Sequence, residues 1–141
     1  MDQNLKREII LENYQNPKNK GLFEDKDYLY QNMDSKSCID QIDLMVKIKD
    51  NIIEDIHFDG EACAICTSST SIMIKEMINT SVEEALNKID NFKNMIEEKE
   101  YEEEKLGEAI VYEDIKYQPN RKNCALLSWY GLEKVLERNK K

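Results

Sequence analysis

Histidine is nearly missing: His57 is the only one among 141 residues. A cysteine nucleophile that borrows a histidine base therefore has little to draw on, and hydrolytic chemistry of that kind is disfavoured. His57 itself lies in a strand-like run, where a lone histidine reads as a surface or packed side chain rather than a ligand. Cations are also in short supply, with 20 Lys and Arg against 29 Asp and Glu, a formal net charge of −9. Nucleic acid is excluded as a partner, because phosphate binding needs clustered Lys and Arg. The acidic excess peaks in EEKEYEEEK, residues 97–105, which reads as a solvated helix face rather than a docking site. No apolar run approaches the ~18 residues of a membrane-spanning helix. The opening MDQNLKREII lacks the apolar core of a secretory signal, so the expected location is the cytoplasm.

The length fits one domain spanning residues 1–141, with no internal repeat or low-complexity linker. Residues 4–15 place Leu5, Ile9 and Ile10 at helical spacing, and the helix stops before Asn16-Pro17. In residues 41–49 the apolar Ile42, Leu44, Val46 and Ile48 occupy alternate positions, the period of a half-buried strand. Asp50-Asn51 is a tight turn, and Ile52 to Phe58 completes a hairpin; residues 28–35 supply a third strand. Beyond Asp59-Gly60 the period becomes helical. Helices are predicted over 63–79, from about 82 to 99 with Ser81 and Glu84 as a capping box, and over 122–138, while 103–115 reads as helical or irregular. The predicted class is α+β: a small three-stranded antiparallel sheet packed against about five helices.

Four cysteines remain to be explained: Cys38, Cys63, Cys66 and Cys124. A reducing compartment argues against structural disulfides, which leaves metal binding or thiol chemistry. Cys63 falls at a strand-to-helix junction and Cys124 at the start of the last helix, positions where helix dipoles favour thiolates. Cys38 lies in the polar loop SKSCID, two residues before Asp40. A carboxylate beside a thiolate repels the anion, so it suits a metal site better than a bare nucleophile. Three thiolates and one carboxylate complete a tetrahedron, although only the fold can gather residues so far apart. Cys63 and Cys66 form CAIC, a redox dithiol or half of a zinc knuckle by spacing. The preceding hairpin is the wrong context for the first and no second C-x-x-C serves the second, so Cys66 reads as a core residue.

Three segments in order carry a family resemblance: ENYQNPKNKG, then SCIDQIDLMVKIKDNIIEDIHFDGEACAICTSSTSIM, then RKNCALLSWYGLEKVL. Together they resemble the U-type iron–sulfur assembly family of IscU and SufU proteins, across nearly the whole chain. The spacing from Cys63 to Cys124, 124 − 63 = 61 residues, is similar to that of the SufU branch. The resemblance implies a SufE/NifU-like fold and metal or cluster ligands at Cys38, Asp40, Cys63 and Cys124. It also implies a bound Zn²⁺ and a PLP-dependent, SufS-like cysteine desulfurase as partner, with downstream iron–sulfur assembly or acceptor proteins. Cys38 would accept the sulfur and Arg121, three residues before Cys124, would stabilise the anionic sulfur. Two alternatives stay open: a scaffold that builds a [2Fe–2S] cluster on the same cysteines, or a zinc-stabilised structural module. Two positions depart from the family pattern. Ile39 replaces the glycine of Cys-Gly-Asp, and Asn123 stands where the IscU branch has histidine.

Overall fold

The computed structural model describes residues 1–35 and 39–139. Its elements follow the predicted order: α1 (Gln3–Gln15), β1 (Leu29–Asp34), β2 (Gln41–Lys49), β3 (Ile52–Asp59), α2 (Ala64–Met77), α3 (Val82–Ile96) and α4 (Lys122–Asn139). Between α3 and α4 the chain winds as 3-10 helix, chiefly over Gly107–Tyr117, where the sequence reads as helical or irregular over 103–115. The three strands form one antiparallel sheet in the order β1-β2-β3. Asp50 (φ 52°) and Asn51 (φ 65°) are both left-handed, the signature of a type I′ turn whose twist matches the strands it joins.

Period two decides which way the sheet faces. Ile42, Leu44 and Val46 of β2 and Ile53, Ile56 and Phe58 of β3 are fully buried against the helices. Helix α4 lies across β1 and β2, and Gly131 permits the approach. A Cβ there would stand 2.7 Å from the Met33 side chain and 3.0 Å from Leu44. On the opposite face Met45 is buried as well, in a strand register that sets it beside His57. Phe23 stacks edge-on against both Tyr28 and His57, 5.2 and 5.0 Å between ring centres. His57 thus packs and pairs with Asp55 at 2.8 Å, as a lone strand histidine was expected to do.

Helix α2 is buried on every side rather than along one stripe, and it carries the run Thr67-Ser-Ser-Thr-Ser71 through the interior. Each hydroxyl has a partner, so the polar run carries no desolvation penalty of the kind an orphan would impose. Thr67 and Thr70 donate to the carbonyls of Ala62 and Cys66. Ser68 shares a 2.5 Å hydrogen bond with the Tyr112 hydroxyl. Ser71 donates to Asn13 Oδ1 at 2.8 Å and accepts from Lys18 N–H.

Helix α1 corrects the sequence reading. Leu5 is 44% exposed, while Lys6 and Asn13 are buried. Lys6 reaches Glu113 at 2.5 Å and Asp114 at 2.8 Å in the 3-10 segment. The face that packs is thus set by two polar anchors, Lys6 and Asn13, with Ile9 and Ile10 only partly buried between them. Among the described residues no helix is long and apolar enough to cross a membrane.

Candidate metal centre

Three elements deliver their ends to one point. Asp40 immediately precedes β2, Cys63 caps α2, and Cys124 is the third residue of α4. One ligand atom from each lies within 4.8 Å of the other two. Asp40 and Cys124 are buried and Cys63 is partly so.

Gly60 makes the convergence possible. As the chain leaves β3 it stays alongside the start of β2, with Gln41 N–H donating to Glu61 C=O at 2.8 Å. A Cβ on Gly60 would sit 2.0 Å from the Gln41 carbonyl oxygen, and its φ of +141° disfavours any side chain. Three residues later Cys63 is extended (φ −67°, ψ 171°), and its Sγ accepts from Cys66 N–H at 3.4 Å. The sulfur therefore takes the capping place that a serine or aspartate oxygen would fill, facing the positive end of the helix.

Asp40 ties the strand to this cap. One carboxylate oxygen accepts from Cys63 N–H at 2.7 Å; the other lies 3.5 Å from Cys63 Sγ. Cys124 departs from expectation. Burial pushes its thiol well above the ordinary range, and the neighbouring Asp40 and Cys63 push the same way. Its position in the first turn of α4 does not offset that desolvation. Two sulfurs and a carboxylate packed together disfavour one another's charge. A divalent cation reverses each of those repulsions, and its soft-plus-hard donor set suits zinc or iron. The residues present fit such an ion.

Cys38 lies outside the described residues. Ser35 N–H donates to Asp40 C=O at 2.9 Å. Ile39 is 84% exposed, so the β-branched side chain in place of glycine points into solvent at the edge of the site. Arg121 and Asn123 are exposed on the approach to Cys124. Cys66 is fully buried in the apolar core, as the sequence reading has it. Sequence reasoning did not anticipate Ser69, whose hydroxyl donates to Ala125 C=O at 2.7 Å; a polar run in a fully buried helix was the available signal.

Residues 5–125 match the NifU-like N-terminal domain family. The chain is 36% identical over 131 residues to the zinc-dependent sulfurtransferase SufU of Bacillus subtilis, covering 92% of this chain and 88% of that one. It is 30% identical to the iron–sulfur cluster assembly scaffold protein IscU of Thermotoga maritima, covering 93% and 92%. A crystal structure from Fervidobacterium islandicum, described as an iron–sulfur cluster assembly scaffold for the SUF system, superposes with a TM-score of 0.84 at 32% identity, covering 92% and 94%. With a family match across most of its length and relatives this similar over nearly all of theirs, the chain belongs to the NifU-like N-terminal domain family.

Proposed function

We propose that residues 1–141 act as one unit in iron–sulfur cluster assembly, accepting sulfur from a PLP-dependent cysteine desulfurase onto Cys38 beside a zinc site. The observation that carries this reading is the buried meeting of Asp40, Cys63 and Cys124 within 4.8 Å. A relative 36% identical to the chain, SufU of Bacillus subtilis, is called a zinc-dependent sulfurtransferase, which supports the reading. Cys38, tethered two residues from Asp40, supplies the fourth ligand. Zinc bound there keeps the thiols deprotonated and masks them from oxidants.

The transfer is a thiolate exchange at sulfur. Cys38 attacks the terminal sulfur of the desulfurase persulfide. A new S–S bond forms on Cys38, the partner's S–S bond breaks, and the electron pair leaves on the partner's cysteine thiolate, so no external oxidant or reductant is needed. Asp40 holds the cap of α2 and with it the Cys63 sulfur. Arg121, exposed three residues before Cys124, offsets the negative charge on the incoming sulfur. The exposed side chain of Ile39, directly before Asp40, gives the edge of the site apolar surface for a protein partner.

The test is to purify the chain anaerobically, quantify zinc, iron and acid-labile sulfide, and measure desulfurase turnover with and without it. Stoichiometric zinc with faster turnover, abolished by Cys38→Ala, is expected. Equimolar iron and sulfide with no stimulation would move the assignment to a [2Fe–2S] scaffold. Zinc with no effect on any desulfurase would leave a structural module.

A further inference from the structure

Helix α2 holds Cys63 at its N-terminus, and something must fix the start of α4 against it if Cys124 is to share one ion. Of the five buried hydroxyl residues of α2, Ser69 is the one bonded to α4. It is fully buried and makes two hydrogen bonds in opposite senses. It donates to Ala125 C=O at 2.7 Å, directly after Cys124, and accepts from Trp129 Nε1–H at 2.9 Å, one turn further along. Trp129 is in turn locked, stacked on Phe92 of α3 at 3.9 Å with 10° between the ring planes.

The geometry points to Ser69 as the positioning residue that sets Cys124 against Cys63, an inference that rests on the metal-site reading above. Six residues of helix separate Cys63 from Ser69, a rigid arm of about 9 Å. At the far end of that arm one hydroxyl grips the N-terminal half of α4 at two points one turn apart. Two points on a helix fix both its rotation and its height. A slip of one residue would swing Cys124 about 100° round the axis, out of reach of the other ligands. Apolar packing alone permits small slides; a hydroxyl that is donor on one side and acceptor on the other does not. Losing it also leaves the buried indole N–H without a partner, which forces the ring or the helix to shift. Ser69 touches no ligand atom and acts only through the helix it holds.

The experiment compares Ser69→Ala, Ser69→Thr and Trp129→Phe in the full chain. Two quantities are read on each: zinc affinity by competition with a chromophoric chelator, and, in a metal-free Cys38→Ser background, the rate at which an oxidant joins Cys63 to Cys124, mapped by mass spectrometry. Ser69→Ala should lose about 10–100-fold in zinc affinity, the range for residues that orient ligands, and slow the cross-link by a similar order. Ser69→Thr keeps the hydroxyl and should restore both. Trp129→Phe removes one of the two points and keeps the grip on Ala125, so its losses should fall between those of wild type and Ser69→Ala. If Ser69→Ala does not fold, Trp129→Phe decides by the same two readings, and wild-type values on it overturn the inference. A folded Ser69→Ala with wild-type affinity and cross-linking rate overturns the inference. If the wild type takes up no zinc yet Ser69→Ala still slows the cross-link, the positioning role stands and the metal reading falls.

Discussion

At the level of single residues, the ligand atoms matter less than their surroundings. Cys124 lies at a helix start, as the sequence indicates, yet its thiol is raised rather than lowered, because burial outweighs the partial charge of the first turn. The raised group stays protonated at neutral pH in the metal-free chain, so zinc uptake must expel its proton. Apparent zinc affinity should therefore climb as pH rises through neutrality and weaken on acidification. Calorimetric titration in buffers of different ionisation enthalpy would count the proton; an affinity flat between about pH 6 and pH 8 would contradict the assignment. Asp40 was legible as a carboxylate two residues after Cys38. Its second task, accepting the Cys63 N–H, was not, since nothing in the sequence says which backbone it will meet.

Single elements depend on a few constrained contacts. Gly60 lets the chain pass close against Gln41 on the way from β3 to the α2 cap, so Gly60→Ala should cost at least about 1–3 kcal/mol from backbone strain and displace Cys63. Denaturant unfolding together with zinc titration would detect both; full stability with full affinity would mean the contact is looser than the 2.0 Å approach implies. Helix α1 presents a different case. Lys6 is raised chiefly by its hydrogen bonds to Asp114 and Glu113, and Asp114 is lowered chiefly by Lys6. A lowered carboxylate adds stability above its unfolded pKa that is lost as pH falls through the folded value. A raised lysine adds stability below its unfolded pKa that is lost as pH climbs through the folded value. The anchor thus holds over the wide range between those limits and releases first in acid. Amide exchange in α1 should accelerate at acidic pH before the sheet opens, and Lys6→Ala should bring that acceleration to neutral pH. The hairpin and α2, α3 and α4 were legible from local period and from the Asp50-Asn51 and Ser81 signals. The packing face of α1 was not, because a buried lysine carries the wrong hydropathy for a pattern search.

Across the whole molecule, an ion held by Asp40, Cys63 and Cys124 would cross-link β2, α2 and α4, the elements those residues begin or precede. An ion bound only by the folded chain stabilises it by mass action, about 4 kcal/mol at 1,000-fold over Kd. Chelation should lower the unfolding midpoint accordingly, and Cys124→Ser should remove most of the difference. An unchanged midpoint on chelation would mean that no ion bridges these elements. Sequence by itself determined the local architecture and the chemical kinds of the site. Period two and a left-handed turn pair specify a hairpin, and cysteines at helix starts with a carboxylate beside a thiol specify a metal's donor set, because such signals act over a few residues. Tertiary structure alone decided that Asp40, Cys63 and Cys124 meet, that Cys124 is desolvated, that Lys6 is buried and that Ser69 reaches Ala125. Those facts join residues tens of positions apart, and their energies come from burial and from partners that no local pattern encodes.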